Sequence, residues 1–542
     1  MVVSRQTGQC LFVCVALALA ACNSSETGQP PPTHITPNTQ GWWRDKVFYE
    51  VFVRSFADSN GDGVGDLAGL TAHLDALNDG DAGTGDDLGV DALWLMPINP
   101  SPSYHGYDVT DYRDVNPAYG SLADLDGLVT AAHRRGVKVI LDMVLNHSSR
   151  NHSWFTNSQS GANSEKRDWY VWRPDDPGWL QPFGSGRTWW NLNGAYYYGL
   201  FGSGMPDLNF TNAAVETEMV DSMKFWLARG IDGFRLDAVR YFVENGADAG
   251  QQDQPETHAL LKRIRAKLQT DYPDALLVAE AWAPQEIALS YYGDGDEVQL
   301  GFAFDLAEAI KTAVVAGEAS NIVNTLARTD VLLAGKDRGY DAPFLSNHDQ
   351  PRVMRVLGGD AGAARVSAAI LFALPGTPFV YYGEELGMQG GAGSDDRNKR
   401  TPYPWNASPG HGFTTGTPWV SVPEAAGVDL ATEKADPGSL FTLYRTLVAL
   451  RHAQTPLAKG SSSSPTPSGA PAGVMALLRE DAGKRVLLVA NVGTAASGAF
   501  TVPVSGTPSV LLQEGLTGTP TAGSGSLTIP GLAARGFAFV SL

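Results

Sequence analysis

The stretch GIDGFRLDAV, residues 230–239, combines a strand pattern with a pair of reactive side chains. Its glycines bracket large apolar residues, which predicts a β-strand; these residues are Ile231, Phe234 and Leu236. Residues i and i+2 of a strand point to the same face, so Arg235 and Asp237 leave the same side near its carboxyl end. A neighbouring arginine keeps a carboxylate ionised, as a nucleophile must be. This stretch alone is equally compatible with a structural Arg–Asp ion pair.

Apolar runs of similar length recur along the chain and alternate with helical patterns. The eight candidate strands are residues 47–53, 92–97, 137–142, 231–237, 275–280, 301–306, 342–349 and 377–383. Near-continuous apolar strands that alternate with helices are typical of parallel βα units. Eight such units predict a closed (β/α)8 TIM barrel over residues 42–456, with its working face at the carboxyl ends of the strands. A doubly wound sheet is the competing architecture.

One connection is too long for an ordinary loop. It covers about residues 146–207, after the third strand, and we interpret it as an inserted B domain that lines a cleft. It holds six of the 13 tryptophans: Trp154, Trp169, Trp172, Trp179, Trp189 and Trp190. Their rings could form platforms for flat apolar faces of a ligand or could pack the core of the insertion itself.

The C-terminal region differs from the barrel. Residues 437–451 have the spacing of a last barrel helix, residues 460–473 form a Ser/Pro/Gly-rich linker, and the rest of residues 457–542 alternates in short apolar runs. That pattern predicts a C-terminal all-β sandwich.

The N-terminus carries an export pattern. Residues 1–21 contain Arg5 and an apolar run too short to span a bilayer, and Leu19-Ala20-Ala21-Cys22 resembles a bacterial lipobox. The resemblance implies cleavage before Cys22 and a lipid on that cysteine, with residues 22–41 as a disordered tether; an ordinary secretory signal is the alternative. The protein is then exported, and lipid-anchored to a bacterial membrane (periplasmic or cell-surface) or secreted. The net charge of −19 argues against nucleic-acid or anionic-lipid partners, so the only expected membrane contact is the lipid anchor.

Polar residues collect at the ends of the candidate strands. They are Asp142, Asn146 and His147 after the third strand, Arg235 and Asp237 on the fourth, Glu280 on the fifth, and Asn347, His348 and Asp349 on the seventh. A barrel brings these ends together at one mouth. The apolar neighbours of Glu280 favour a protonated acid beside the ionised Asp237, which is the pair that glycoside cleavage needs.

The polar segments resemble the α-amylase family of glycoside hydrolases, often called family 13. The matching segments, in the order of the family, are DMVLNH (142–147), MPDLNF (205–210), GFRLDAV (233–239), VAEAW (278–282) and FLSNHD (344–349). The resemblance implies double displacement with retention, with Asp237 as nucleophile, Glu280 as general acid/base and Asp349 as transition-state stabiliser. It further implies that Arg235, His147 and His348 bind the sugar before the cleaved bond, and that Tyr107 stacks on it with Asp108 alongside.

The finer specificity rests on two segments. MPDLN is similar to an intermediate oligo-1,6-glucosidase/neopullulanase-like group that contains α-amylases, which favours cleavage of internal α-1,4 bonds of starch. KRTPYPW (399–405) resembles the RTPMQW loop of α-glucosidases and trehalose synthases with Met-Gln replaced, and Arg400 there could contact substrate. An exo-acting α-glucosidase or oligo-1,6-glucosidase, a trehalose synthase, and a non-catalytic sugar-binding lipoprotein remain as alternatives. The expected partner is an α-glucan or maltooligosaccharide, bound by a monomer.

A loop after the first strand has the pattern of a calcium site. Oxygen-bearing residues alternate around a glycine turn in DSNGDGVGD, residues 58–66; the candidate ligands are Asp58, Asn60, Asp62, Val64 and Asp66. The loop lacks the final glutamate of an EF-hand, since Gly69 stands there. Similar loops hold Ca2+ in oligo-1,6-glucosidase-like members of the family, which implies one structural Ca2+ here.

Overall fold

A computed structural model describes residues 41–81, 83, 85–334 and 340–542, and its centre is one eight-stranded parallel sheet. The strands are Phe48–Val51 (β1), Ala92–Leu95 (β2), Lys138–Met143 (β3), Gly233–Leu236 (β4), Leu276–Ala279 (β5), Leu300–Phe302 (β6), Tyr340–Ala342 (β7) and Phe379–Tyr381 (β8). Hydrogen-bonded neighbours follow the order β7-β6-β5-β4-β3-β2-β1-β8. The predicted signal peptide 1–21 and all of the tether 22–41 except Gly41 lie outside the described residues.

The sheet closes on itself. Between its two end strands, the amide of Phe379 donates to the carbonyl of Pro343 (2.9 Å) and that of Thr377 donates to Asp341 (3.0 Å). Strands β1, β2, β4 and β5 are buried along their whole length, as expected for strands covered on both faces. The barrel prediction is confirmed, and the doubly wound alternative is wrong.

All eight strands differ from their predicted bounds by one or more residues, and two of them, the sixth and the seventh, differ most. The seventh ends at Ala342 rather than extending over 342–349, because Pro343 has no amide proton to continue the ladder. The sixth ends at Phe302 rather than at residue 306, and a helix begins at Phe304. The residues 344–349 therefore form an irregular segment that carries polar side chains over the barrel mouth.

Helices surround the barrel. The α-helices of eight or more residues are Leu122–Arg134, Ala213–Leu227, Pro255–Asp271, Phe304–Ala316, Ser320–Leu333, Ala361–Ala373 and Leu440–Ala453. The shorter ones are Val53–Phe56, Leu67–Ala72, Leu74–Leu77, Ser153–Ser158, Gln285–Ser290, Val353–Val356, Leu430–Ala435 and Thr455–Lys459, and the 3-10 turns are Trp42–Asp45, Arg167–Trp169, Val239–Tyr241, Asp248–Gln251, Asp396–Asn398 and Pro409–Gly412. Among the described residues, no helix is long and apolar enough to cross a membrane.

The insertion after β3 contains a small antiparallel sheet of Trp172–Arg173, Ala195–Tyr198 and Trp189–Leu192. Its aromatic rings pack mainly on one another. Phe155 stacks on Trp172 (5.7 Å between centroids), and Trp179 meets Trp189 edge to face at 5.5 Å. The tryptophans thus build the core of the insertion, as one of the two sequence interpretations proposed.

The C-terminal region is an antiparallel β-sandwich. One sheet contains Ser461–Ser463, Val474–Asp481, Lys484–Asn491, Leu532–Ser541 and Ser509–Leu516, and the other contains Phe500–Val502, Leu527–Ile529 and Thr521–Ala522. Their inner faces share one apolar core that includes Val489 and Ile529. The strand Ser461–Ser463 lies inside the stretch predicted as a linker.

Candidate active site

A cavity of about 990 Å³ lies at the carboxyl ends of the barrel strands and is lined by side chains that follow those strands. Its lining residues are His105, Tyr107, His147, Phe183, Phe201, Met205, Asp237, Ala238, Arg240, Tyr241, Glu280, Trp282, Asp349, Asp396, Lys399 and Arg400. Six of the residues predicted from sequence are therefore together at one site. Arg235, His348 and Asp108 are absent from this set of described lining residues.

Arg235 forms the charged floor beneath the cavity. Its guanidinium group is fully buried, and Nη1 lies 2.8 Å from Asp142 Oδ1 and 2.6 Å from Asp237 Oδ1. Nη2 makes an ion-pair contact of 3.0 Å with Glu280 Oε2, outside hydrogen-bond geometry. One cation on β4 thus holds carboxyl groups from three adjacent strands close together.

Glu280 follows β5 directly and is only 13% exposed. Burial raises the pKa of Glu280 to about 7; Arg235 opposes the rise, and the charges of Asp237 and Asp349 add to it. Its Oε2 also accepts a 2.8 Å hydrogen bond from the amide of Ala238. That amide is presented by a left-handed backbone at Ala238 (φ 51°), an unfavourable conformation for a residue with a Cβ. The local strain places a fixed donor beside the candidate acid.

Asp349 has the opposite electrostatic environment. Although burial opposes its charge, His348 and Arg400 hold the pKa of Asp349 far below its usual range. Arg400 Nη2 donates to Asp349 Oδ1 at 2.9 Å, and its Nε donates to the carbonyl of His348 at 3.0 Å. The site therefore contains an ionised aspartate opposite a glutamate that titrates near neutral pH.

The remaining predicted sugar contacts occupy different positions. The Tyr107 hydroxyl donates to Asp142 Oδ2 (3.1 Å) and lies 2.6 Å from His348 Nε2, so its ring is fixed against that histidine. His147 lines the cavity, and its Nε2 lies 3.1 Å from the carbonyl of Tyr107. Asp108 accepts a hydrogen bond from the Ser101 hydroxyl at 2.5 Å and another from a second serine, Ser103.

The MPDLNF segment is tied to the end of β3. Asp207 forms an antiparallel bridge with His147, and its Oδ2 accepts a 2.9 Å hydrogen bond from Asn146 Nδ2. Burial raises the pKa of Asp207 to about 7. This segment fixes the edge of the insertion against the cavity wall.

Sequence reasoning missed several lining residues. Phe183 and Phe201 come from the insertion, and their rings stack at 5.7 Å beside Tyr241. Trp282 stacks on Phe304 with an interplanar angle of 8° and remains 49% exposed. None of the six tryptophans of the insertion is among the described lining residues, whereas its phenylalanines are. Of these lining residues, only Trp282 could have been predicted from the sequence, because it lies two residues after Glu280.

The loop at 58–66 folds through side-chain turns. Asp58 Oδ1 accepts from the amides of Asn60 (3.0 Å) and Gly61 (2.8 Å), and Asp62 Oδ1 accepts from Val64 (2.8 Å). Asp66 caps the helix Leu67–Ala72 by accepting from the amide of Gly69. Within the described ranges, no three His, Cys, Asp or Glu side chains converge as a metal cluster. A calcium shell in this loop would therefore draw on amide and carbonyl oxygens, such as those of Asn60 and Val64, besides its carboxylates.

A parallel barrel with two differently protonated carboxyl groups at its carboxyl-terminal face defines a glycosidase-like site. Comparisons with known proteins agree. Residues 50–460 match the family model described as "Alpha amylase, catalytic domain". The chain is 39% identical to Alpha-amylase 3 of Dictyoglomus thermophilum, over 77% of this chain and 79% of that protein.

Two further relatives show the spread of the group. An oligo-1,6-glucosidase of Parageobacillus thermoglucosidasius is 32% identical over 76% of this chain and 83% of its own. The crystal structure of an α-amylase from H. orenii superposes with a TM-score of 0.81 at 35% identity, covering 92% of this chain and 99% of that one. The chain belongs to the α-amylase family of glycoside hydrolases, family 13.

Proposed function

We propose that this glycoside hydrolase cleaves internal α-1,4-glucosidic bonds of starch and maltooligosaccharides by double displacement with retention. The double-displacement mechanism rests on one observation: the guanidinium group of Arg235 contacts both Asp237 and Glu280. It keeps the two carboxyl groups close, as a retaining mechanism needs. The pKa of about 7 lets Glu280 hold a proton in mildly acidic conditions.

In the first step Glu280 gives its proton to the glycosidic oxygen while Asp237 attacks the anomeric carbon. The bond between that carbon and the leaving oxygen breaks as the ester to Asp237 forms. In the second step Glu280 takes a proton from water, and the water oxygen displaces Asp237. Asp349, kept anionic by His348 and Arg400, opposes the positive charge that develops on the sugar.

Internal cleavage is supported by the exposed aromatic rings on the cavity wall. Trp282 and Phe183 line the cavity with 49% and 52% of their surface exposed, and flat apolar faces suit stacking against several glucose units. An exo-acting α-glucosidase is the second candidate. Asp396 and Lys399 line the same cavity and are joined at 2.8 Å, so the segment after β8 supplies a charged wall that could close one end.

The product pattern from maltoheptaose and starch at low conversion tests this proposal. We expect mixed short maltooligosaccharides of α configuration and a rapid loss of starch–iodine colour. Glucose alone, with the iodine colour retained, would favour an α-glucosidase or oligo-1,6-glucosidase. Trehalose from maltose would indicate an isomerising enzyme. Absence of reducing sugar from every substrate would indicate a non-catalytic sugar-binding protein.

Removing the exposed rings should shorten the effective binding site. We expect Trp282→Ala and Phe183→Ala each to raise KM for maltoheptaose about 5-fold, because a lost stacking contact is worth roughly 1 kcal/mol. The KM for the smallest substrate that the enzyme cleaves should rise less. Leu180→Ala is the matched control, since Leu180 is also half exposed in the insertion but is not among the described lining residues. Equal effects of all three changes would contradict an aromatic subsite.

We also propose one structural Ca2+ in the 58–66 loop, bound by oxygens of Asp58, Asn60, Asp62 and Asp66 and by the Val64 carbonyl. A bound cation would neutralise the carboxylates of this short loop and fix its position against residues 413–419, to which Asp58 and Gly63 are hydrogen-bonded. The mechanism above uses only side chains of this chain.

Calcium should raise the melting temperature. A ligand that binds only the folded protein stabilises it in proportion to the logarithm of its concentration, by roughly 3 kcal/mol at about 100 times Kd. We expect Asp62→Ala to abolish this Ca2+-dependent shift. Asp176→Ala is the control, since Asp176 forms the same kind of exposed side-chain turn, with Gly178. Equal melting curves for the wild type in chelator and in millimolar Ca2+ would contradict the site.

Export with a lipid on Cys22 completes the proposal. A surface-tethered enzyme would convert a polymer into products small enough for uptake. Metabolic labelling with a radioactive fatty acid, compared between the wild type and Cys22→Ser, tests the anchor: only the wild type should be labelled.

A further inference from the structure

Glu50 lies on β1 beneath the cavity and contacts a histidine of the site. Its Oε1 lies 2.5 Å from Nδ1 of His348, and the two side chains are 3% and 0% exposed. In the barrel Glu50 is in register with Trp94 of β2 and Tyr381 of β8, so neighbouring strands enclose it. It is absent from the described residues that line the cavity, so its effect on substrate must pass through another residue.

The other nitrogen of His348 faces oxygens as well. Nε2 lies 2.6 Å from the Tyr107 hydroxyl and 3.0 Å from Asp349 Oδ2. The carboxylate of Asp349 can only accept, and the Tyr107 hydroxyl also offers an acceptor to Nε2 when its proton goes to Asp142 Oδ2 at 3.1 Å. Each ring nitrogen therefore meets an acceptor, and both are satisfied only when both carry a proton.

We propose that Glu50 is a positioning residue that holds His348 as an imidazolium ion and thereby fixes Asp349 in place as an anion. The result is a carboxylate–imidazolium–carboxylate chain that runs from β1 to the cavity. This inference rests on the proposed role of Asp349 at the transition state and is independent of whether cleavage is internal or terminal.

The groups around His348 agree with a charged ring. Glu50 faces it from β1, Tyr107 from the loop after β2, Asp142 from β3, and Asp349 from its own segment. The cation Arg400, from the segment after β8, donates to the main-chain carbonyl of His348. Burial lowers the pKa of His348, but the charges of Asp349 and Glu50 outweigh it and raise that pKa to about 9.

Glu50→Gln removes the charge and keeps the shape. The amide oxygen still accepts from Nδ1–H, so the ring stays in place. Without the second carboxylate the ring loses its other proton at lower pH, and the lone pair on Nε2 then faces Asp349 and repels it. Activity should therefore fall at lower pH in the variant than in the wild type.

The pH profile of kcat/KM with α-glucosyl or α-maltosyl fluoride measures this shift. Fluoride leaves without a proton from Glu280, so the titration of Glu280 does not mask that of His348. We expect the alkaline limb of Glu50→Gln to move down by about one pH unit or more, which is a tenfold loss on that limb. The loss should be small at about pH 5.5, where His348 is charged in both proteins.

Glu297→Gln is the matched control. Glu297 Oε2 lies 2.8 Å from Nδ1 of His258, so the change removes an equivalent buried carboxylate from a histidine outside the described cavity lining. Its profile should follow the wild type. An unshifted alkaline limb in Glu50→Gln, or an equal loss at every pH, would overturn the proposal.

Nitrogen-15 NMR of the wild-type protein gives a second measurement, in which a variant serves only to assign the resonances. At about pH 8 the resonances that disappear in His348→Asn should show two protonated ring nitrogens, whereas an unperturbed histidine is neutral there. A neutral His348 would contradict the inference. A wild type that shows this imidazolium ion but turns over no substrate would overturn the proposed function instead.

Discussion

Asp237→Asn is expected to abolish turnover while the fold stays intact. The amide is nearly isosteric with the carboxylate but cannot attack the anomeric carbon. Losing the nucleophile should raise the barrier by about 5 kcal/mol or more, which is several orders of magnitude in kcat. The rate of starch hydrolysis and the circular dichroism spectrum of the purified variant measure the two parts of this prediction.

The control for this change lies on the same chain segment. Asp232 precedes β4, and its carboxylate pairs with Lys138 at 2.8 Å on the opposite side of the barrel from the cavity. Asp232→Asn should lower stability and keep most of the activity. A folded Asp237→Asn protein with more than a tenth of the wild-type rate would remove Asp237 from the nucleophile role.

Glu280→Gln should give the second large loss, and its size should depend on the leaving group. Starch needs a proton on the departing oxygen, so we expect kcat/KM to fall about 1000-fold or more. With α-maltosyl fluoride the same variant should lose much less in kcat/KM, because fluoride departs as an anion. A comparison of both substrates in the wild type and the variant measures this difference.

The pH profile supplies an independent check on Glu280. The protonated form is the active one, so wild-type cleavage of maltoheptaose should decline as pH rises through the Glu280 pKa of about 7.

Glu286→Gln is the control for Glu280→Gln in the comparison of the two substrates, since this exposed glutamate lies six residues further along the chain and pairs with Arg328. Similar losses on starch and on the fluoride in Glu280→Gln would argue against an acid role.

The barrel could be predicted because its signal is local. Short apolar runs alternate with helical periodicity, and polar residues follow the runs at fixed places. The same logic predicts that Asp237, Glu280 and Asp349 lie together, since strand ends meet at one mouth once the sheet closes.

The buried partners of these residues could not be predicted in the same way. Glu50 is a polar interruption in an apolar strand, and Asp142 is one of several polar residues at the strand ends; the contacts of both depend on partners that only closure of the barrel supplies. Glu50 meets His348 across 298 residues of sequence, and Asp142 meets Arg235 across 93. A sequence pattern within one strand contains no information on such pairs.

The aromatic residues show a different limit. Six tryptophans in the insertion suggested stacking platforms, but a large ring fills a small core as readily as it binds a sugar. The structure places Trp172 and Trp189 in that core and leaves Phe183 exposed at the cavity. Which ring faces outward depends on how the short strands of the insertion pair, and the sequence does not reveal that pairing.

Trapping the covalent intermediate tests the central claim most directly. A 5-fluoro α-glucosyl or α-maltosyl fluoride has a good leaving group and an electron-poor ring, so the ester forms faster than water removes it. Proteolysis and mass spectrometry of the trapped enzyme then locate the sugar. The double-displacement account predicts one glycosyl ester, on Asp237 in the peptide that contains residues 233–239. A label on another residue, or no label together with products of inverted configuration, would contradict it.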